Sequence, residues 1–172
     1  VPITPLMVIR VFEQAFDPEK DVRLSKDWVS ISKISKNAPQ AVIAAEDQKF
    51  LDHNGFDVEA MKKAWENNKK GKRIKGASTI TQQTVKNVFL WPSRSYIRKG
   101  LEAYFTVLVE FFWSKERIVE VYLNVSEMGE VIYGIETASQ SYYKKSAEKL
   151  NRSQAAMIAA VLPNPRRWKP SK

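Results

Sequence analysis

The only histidine of the chain lies seven residues after a glutamate, in the segment 39–57 with the sequence PQAVIAAEDQKFLDHNGFD. If this segment is helical, Glu46, Phe50 and His53 fall at positions i, i+4 and i+7 on one face, with Asp47 beside them. A carboxylate at the edge of an apolar surface can act as a general base. The same spacing also fits an ordinary helix end, with solvated acids and a histidine near the last carbonyls.

Local signals predict the helix that would position this glutamate. Asn37 can cap its N-terminus, Pro39 suits its first turn, and Gly55 stands where a left-handed residue would end it. The run of Ala, Val and Ile at 41–45 is expected to be buried. We therefore expect one central helix that carries Glu46 and continues beyond it.

A second group of polar residues follows further along the chain. Ser78 is expected to cap a helix, because the apolar residues after it fit helical spacing better than strand alternation. In that helix Thr79, Gln83 and Lys86 line one face, and Asn87 lies beside it. A solvated face would more often carry Glu and Lys, so this stripe is a candidate binding surface.

A basic segment, KKGKRIKG, precedes this helix at 69–76 and indicates a mobile loop. Its glycines, Gly71 and Gly76, are reminiscent of a phosphate-binding P-loop. That motif requires Lys followed by Ser or Thr after the second glycine, and Ala77 occupies the Lys position. We exclude a P-loop, and an ordinary solvated charge run also fits the segment.

The clearest helical pattern runs from Ser93 to Trp113, with apolar residues at alternating spacings of four and three. That stripe consists of Ile97, Leu101, Tyr104, Leu108 and Phe111. Arg98 and Glu102 stand at i and i+4 beside it, and Lys99 is adjacent. An exposed ion pair of this kind contributes only about 0.3–0.5 kcal/mol, so it has no necessary functional meaning.

The remaining pattern is also helical, with little or no sheet. Most of 19–36 is expected to be an extended connection, and 127–134 a turn region. We predict one domain over 1–172 with seven to nine helices. The helix capped by Ser78 covers 79–90, and further helices are predicted at 58–68, 114–125 and 135–143. A short first helix is opened by Thr4 and Pro5 and ended by Asp17-Pro18. A last helix at 152–162 is capped by Asn151 and Gln154.

The charge balance narrows the possible partners without choosing among them. The 172 residues contain 28 Lys and Arg against 19 Asp and Glu, a net charge of +9, which predicts attraction to nucleic acid, anionic lipid or a phosphorylated substrate. There is no cysteine, so the composition fits a reducing cytosol and an oxidising periplasm equally well. The longest apolar run, at 104–113, has ten residues and contains Glu110, too short and too charged to span a bilayer.

Five motifs, in order, closely resemble the peptidoglycan glycosyltransferase family. They are AAEDQKFLDHNGFD, GASTITQQTVKN, RKGLEA, KERIVEVYLNVSEMG with GIETAS shortly after it, and QAAMIAAVLPNP. The resemblance covers about 125 residues and implies a mainly α, lysozyme-like, two-lobed fold with a small jaw lobe that faces the membrane. The chain is similar to the monofunctional type, for which the resemblance implies an anchoring helix before Val1 in the bacterial inner membrane and a catalytic domain on the periplasmic side.

The resemblance also implies a reaction and residue roles. The family polymerises lipid II into β-1,4-linked glycan strands, with inversion at the donor anomeric carbon and release of undecaprenyl pyrophosphate. Glu46 would be the base, and Glu102, the second family carboxylate, would orient Arg98 or contact a metal ion. The residues implied to bind substrate are Asp47, Phe50 and His53 near the base, Ser78, Thr79, Gln82, Gln83 and Asn87 at the start of the second helix and along it, and Lys86, Arg98 and Lys99 around the pyrophosphate.

Cofactor and partners follow from the same resemblance. A divalent cation, Mg or Mn, would be held mainly through the pyrophosphate, and no organic cofactor is expected. The expected partners are lipid II, the growing glycan strand, the membrane surface and other cell-wall synthesis and division proteins, but not nucleic acid. Leu90, Trp91 and the aromatic cluster at 111–113 are candidates for membrane contact or for the core. A lysozyme-like lytic enzyme and a nucleic-acid-binding helical module are the competing hypotheses.

Overall fold

The computed structural model of the chain describes residues 3–19, 21–69, 77–93 and 95–170. The helices are α1 (Pro5–Ala15), α2 (Asn37–Glu46), α3 (Val58–Lys69), α4 (Ile80–Phe89), α5 (Tyr96–Phe112), α6 (Lys115–Val125), α7 (Ile135–Tyr143) and α8 (Arg152–Val161), with 3-10 turns at Ile31–Lys33 and Ala147–Lys149. Three short strands, β1 (Ser25–Lys26), β2 (Glu127–Gly129) and β3 (Ile132–Tyr133), form a sheet of order β1-β3-β2. The mainly α fold class is confirmed.

Two helix packings build the core. Helix α2 packs on α8, and α4 packs on both α5 and α6. The β-branched side chains of α4 are compatible with a helix here because Ile80, Thr84 and Val85 are fully buried, and the Thr84 hydroxyl donates to the Ile80 carbonyl at 2.9 Å. Tertiary burial thus outweighs the strand propensity of this segment.

Several predicted helix starts are confirmed by their capping bonds. The side chains of Thr4 and Ser114 accept hydrogen bonds from backbone N–H groups in the first turns of α1 and α6. Asn151 and Gln154 form a reciprocal capping box at the start of α8. Side-chain oxygens at these positions satisfy amides that a helix N-terminus leaves unpaired, which is why the sequence signal is reliable.

The central helix is shorter than predicted. It ends at Glu46, because Asp47 leaves helical geometry (φ −159°, ψ 74°), and Gly55, in the left-handed region at φ 84°, lies in the loop beyond. The helical face proposed for Glu46, Phe50 and His53 is therefore wrong. Asn37 is not the N-cap either, since its amide donates to the Leu150 carbonyl at 3.0 Å and ties the start of α2 to the chain before α8.

Two further boundaries differ. Helix α4 is capped by Thr79, whose side chain accepts from the Gln82 N–H in a capping box, and Ser78 precedes the cap. Helix α5 begins after Ser95 rather than at Ser93. The expected extended connection contains β1 and a 3-10 turn, and β1 pairs in parallel with β3. Residues 70–76 of the basic segment lie outside the described residues.

Helix α5 is turned with its apolar stripe outward. Ile97 is 77% exposed and Phe111 is 80% exposed, whereas the buried face carries Glu102, Thr106 and Val109. The pattern correctly predicted an amphipathic helix, but only Leu101 of the stripe packs against the core, and the packed face mixes Glu102 and Thr106 with Phe105 and Val109. Leu90 belongs to the core, while Trp91 is exposed. Among the described helices, none has the length and apolar character that crossing a bilayer demands.

Candidate active site

Glu46 is held at the end of a helix that is packed closely on a neighbour. Ala38 and Val42 of α2 are buried against α8, whose Ala155 and Ala159 allow a close approach. The half-buried Glu46 carboxylate then accepts a hydrogen bond from Gln83 Nε2 of α4, with 2.8 Å between Gln83 Nε2 and Glu46 Oε2. Two separate helices thus fix the position of one carboxylate.

The orientation of the Gln83 amide is set by Tyr122 of α6. The Tyr122 hydroxyl donates to Gln83 Oε1 at 3.3 Å, so the amide nitrogen is directed at Glu46. Burial, together with the nearby Glu46 charge, raises the pKa of Tyr122, and the phenol therefore keeps the proton that it donates. Tyr122, Gln83 and Glu46 form a chain of hydrogen bonds that locks the carboxylate.

Asp47 and His53 form a pair behind this chain. Asp47 Oδ1 lies 2.9 Å from His53 Nε2, and Asp47 Oδ2 accepts from the Ile80 N–H at 3.0 Å. A carboxylate at the N-terminus of α4 satisfies an unpaired amide and interacts favourably with the helix dipole. This bond to α4 links the loop after α2 to the helix that carries Gln83.

Three other predicted binding residues are buried around that loop. Phe50 is fully buried, with Lys115 Nζ 4.5 Å from its ring centroid. The Thr79 hydroxyl donates to the Gly55 carbonyl at 2.7 Å and accepts from the Gln82 N–H, while the Gln82 side chain accepts from the Thr79 N–H. The polar groups of Thr79 and Gln82 are thus engaged within the protein.

A cluster of cations lies on α4 and α5. Arg98 Nη1 donates to one oxygen of Glu102 at 2.6 Å, and Lys99 Nζ donates to the other. Glu102 is only 3% exposed, so this is a buried arrangement and not the exposed pair that the spacing alone allowed. Counted with Lys86, three positive charges surround one negative charge, which leaves a net charge of about +2 available to an anion.

The charges of both Glu102 and Glu46 act on the Lys86 ammonium group. Although Lys86 as a residue is exposed, the protein around its ammonium group desolvates that group and lowers the pKa of Lys86. The Glu102 charge opposes this effect, and the Arg98 and Lys99 charges strengthen it. The Glu46 charge acts weakly in the same sense as Glu102. Lys86 is therefore near both the cation cluster and the candidate base.

The hydrogen bond between Glu46 and Gln83 joins residues that line two different cavities. One, of about 470 Å³, contains Gln83 and the cations Lys86 and Arg98 in its wall. The other, of about 280 Å³, contains Glu46. Asn87 and Tyr122 also line the first, and Asp47, Ser78 and Thr79 the second. A larger open depression of about 640 Å³, lined by residues of 14–23, 130–142 and 165–169, holds none of the predicted site residues.

The described side chains form no ligand cluster for a metal ion. Both Glu102 oxygens accept hydrogen bonds from cations, which places positive charge where a metal ion would have to approach. In the part of the chain that the structure describes, no group of three or more His, Cys, Asp or Glu residues is placed to hold a metal. Glu102 therefore fits the role of orienting Arg98 better than that of contacting a metal ion.

A family model described as Transglycosylase matches residues 14–172. The chain belongs to this family. It is 59% identical to the biosynthetic peptidoglycan transglycosylase of Bdellovibrio bacteriovorus, over 98% of this chain and 67% of that protein. It is 56% identical to the protein of the same name from Caulobacter vibrioides, over 98% of this chain and 70% of the relative, and 54% identical to that from Bacteroides thetaiotaomicron, over 99% and 68%.

The family membership predicted from the five motifs is confirmed, and this transglycosylase is a glycosyltransferase enzyme. Its structure joins Gln83 to Glu46 by a hydrogen bond and places Gln83, Lys86 and Arg98 in the wall of one cavity. It buries Phe50 and Gln82 and pairs His53 with Asp47. Sequence reasoning missed Tyr122, because its spacing on α6 is that of an ordinary buried aromatic residue.

Proposed function

We propose that this transglycosylase polymerises lipid II into β-1,4-linked glycan strands, with inversion at the donor anomeric carbon and release of undecaprenyl pyrophosphate. The names of the relatives support peptidoglycan as the product and a place in the cell envelope. The single observation that carries the proposal is the hydrogen bond that joins Gln83, in the wall of the cavity lined by cations, to Glu46, in the wall of a second cavity. This arrangement suits a base that deprotonates a neutral acceptor hydroxyl next to cations that bind the pyrophosphate of the donor.

The proposed step needs one carboxylate and a cation cluster. Glu46 takes the proton of the acceptor 4-hydroxyl as that oxygen attacks donor C1 on the face opposite the pyrophosphate. The bond from C1 to the phosphate oxygen breaks, and its electron pair leaves with the pyrophosphate. Because this leaving group departs as a stable anion, positive charge can replace the second, proton-donating carboxyl group of inverting glycosidases. A positioned general base typically contributes about 10² to 10⁴ in rate.

Charge and geometry divide the cations by role. Arg98 and Lys86 line the larger cavity and would bind the pyrophosphate oxygens, the guanidinium of Arg98 through paired hydrogen bonds. Glu102 holds Arg98 in place, and Lys99, which is exposed, adds charge nearby. Asn87 and Ser78 line the two cavities and would hydrogen-bond sugar or phosphate oxygens.

The buried predicted residues would act indirectly. Asp47, His53 and Thr79 fix the loop after Glu46 to the start of α4 through the bonds described above, and Phe50 and Gln82 fill the space behind it. We propose that they position Glu46 and Gln83 relative to one another. Asp47 and Thr79 also line the smaller cavity, so each could touch the acceptor as well.

The outward face of α5 would meet the membrane that carries the substrate. Its exposed apolar residues include Tyr96, Ile97, Tyr104, Val107, Phe111 and Phe112. Such a continuous apolar strip is unusual on a soluble surface and typical of a contact with lipid or protein. Because the substrate has a polyprenyl tail, a bilayer is the occupant that we propose, and the basic surplus of the chain suits an anionic lipid surface.

The test is incubation of the purified chain with lipid II in detergent, followed by separation of the products. The proposal predicts long glycan strands, one polyprenyl pyrophosphate released for each bond formed, and complete digestion of the strands by an enzyme specific for β-1,4 linkages. Consumption of finished strands without consumption of lipid II would instead indicate a lytic enzyme and would overturn the proposal.

A further inference from the structure

One carboxylate in the wall of the larger cavity has no role in the step above. Glu127, the first residue of β2, lines the cavity that also contains Gln83, Lys86 and Arg98. Its side chain is only 11% exposed. Within the described residues it accepts no hydrogen bond, and its ion-pair partner, Arg10 Nε, is 3.8 Å from Glu127 Oε1, beyond hydrogen-bonding distance.

Such a carboxylate is costly to leave unpaired. Burial raises the pKa of Glu127, and the Arg10 and Arg166 charges only partly oppose this effect. Arg10 does not complete the pair, since its Nη1 donates to Glu13 at 2.6 Å and its Nε is buried without a partner. The Glu127 carboxylate therefore retains hydrogen-bond acceptors, and the residue lines both the cavity of about 470 Å³ and a small pocket that it shares with Arg10 and Arg166.

The backbone around Glu127 is irregular and strained. The pairing of β2 with β3 shifts register between Glu127 and Gly129, as in a β-bulge. Val131, in the turn that follows, has a φ of 58°, a left-handed conformation that β-branched residues seldom adopt. Bulges of this kind often re-aim a side chain beside an active site, and backbone strain concentrates at such positions.

Helix α1 also contributes residues to this cavity. Leu6 and Arg10 both line the same cavity, and both precede residue 14, where the family match begins. The three relatives above are similar over nearly the whole chain, including this helix. The end of the cavity formed by Arg10 and Glu127 is thus built partly from residues outside the matched domain.

We propose that Glu127, which no protein group holds by a hydrogen bond within the described residues, binds a hydroxyl or acetamido N–H group of the donor sugar. This inference rests on the proposed function and names a substrate contact in the same cavity. A carboxylate repels a pyrophosphate but accepts strongly from O–H and N–H donors. With the pyrophosphate at Lys86 and Arg98, Glu127 would meet the saccharide that remains attached to C1, and so would act as a donor-binding residue rather than as an acid or base.

The experiment compares Glu127→Ala and Glu127→Gln with the parent. Each change is made in a Glu46→Gln background, and binding of a lipid-linked tetrasaccharide, the product of one transfer, is titrated in detergent. Loss of a hydrogen bond to a charged acceptor predicts binding about tenfold to a hundredfold weaker for Glu127→Ala, with a smaller loss for Glu127→Gln. In the active background, the KM for the donor should rise more than kcat falls.

Glu148→Gln is the matched control. Glu148 is exposed and lines neither this cavity nor the small pocket that Glu127 shares with Arg10, so its change should leave donor binding unaltered. Thermal unfolding of every variant separates binding from folding. If folded Glu127→Ala binds the tetrasaccharide as tightly as the parent, the inference is wrong, even where the parent polymerises lipid II. If the parent makes no polymer, the proposed function itself fails.

Discussion

Removal of the Tyr122 hydroxyl group should make the position of the Glu46 carboxylate less fixed, although Tyr122 does not bond to Glu46 directly. Tyr122→Phe deletes the donor to Gln83 Oε1, a bond of 3.3 Å that fixes which end of the amide meets Glu46. A neutral hydrogen bond contributes about 1 kcal/mol net, which corresponds to about a fivefold change in an equilibrium or rate. In the variant the Gln83 side-chain amide can rotate by half a turn, and its oxygen would then repel the Glu46 carboxylate.

We therefore expect kcat for lipid II polymerisation to fall by about fivefold to tenfold, with little change in KM. The control is Tyr142→Phe, which deletes the donor to the Met128 carbonyl at 2.9 Å, away from both cavities that contain the site. Both variants should lose similar stability, about 2–4 °C in Tm for a chain of this size. Equal kcat values for the two folded variants would refute the proposed chain from Tyr122 to Glu46.

Two further predictions concern Lys86 and Gly55. Because the pKa of Lys86 is lowered, its charge and donor binding are lost as pH rises through that value; kcat/KM should fall earlier on the alkaline side for the parent than for Lys86→Arg, and superimposable pH profiles would contradict this. Gly55→Ala adds a Cβ about 2.5 Å from Thr106 Cγ2 at a φ of 84°, and should destabilise the protein by about 2–4 kcal/mol in chemical denaturation. Gly100→Ala, in open space on α5, should be neutral or stabilising, and equal effects at the two glycines would be inconsistent with the structure.

The sequence predicted helices best where their signals are local. Capping side chains at Thr4, Ser114 and Asn151 act within one turn, so they could be identified without any tertiary information. The end of α2 could not, because Asp47 leaves the helix to bond the Ile80 amide, 33 residues away. The motifs identified Glu46 as a candidate base, which stays a prediction, whereas the helical face predicted through Glu46, Phe50 and His53 is absent because α2 ends at Glu46.

The orientation of α5 shows a second limit. An apolar stripe predicts an amphipathic helix, but it does not say whether the stripe faces protein or another apolar phase. Here the face with Glu102 and Thr106 is buried, and Ile97 and Phe111 are exposed. Local patterns could not predict the hydrogen bond between Tyr122 and Gln83 either, because these two residues lie on different helices and are 39 residues apart in the sequence.

The most direct test of the account is the rate of lipid II polymerisation by the parent and by Glu46→Gln, with Glu148→Gln as the matched control. Glu148 is exposed and lines neither cavity, so its substitution should leave the rate unchanged. The account predicts that folded Glu46→Gln loses at least about 10² in kcat, the low end for a positioned general base. A Glu46→Gln variant that is folded and polymerises lipid II at the parental rate would contradict the central claim.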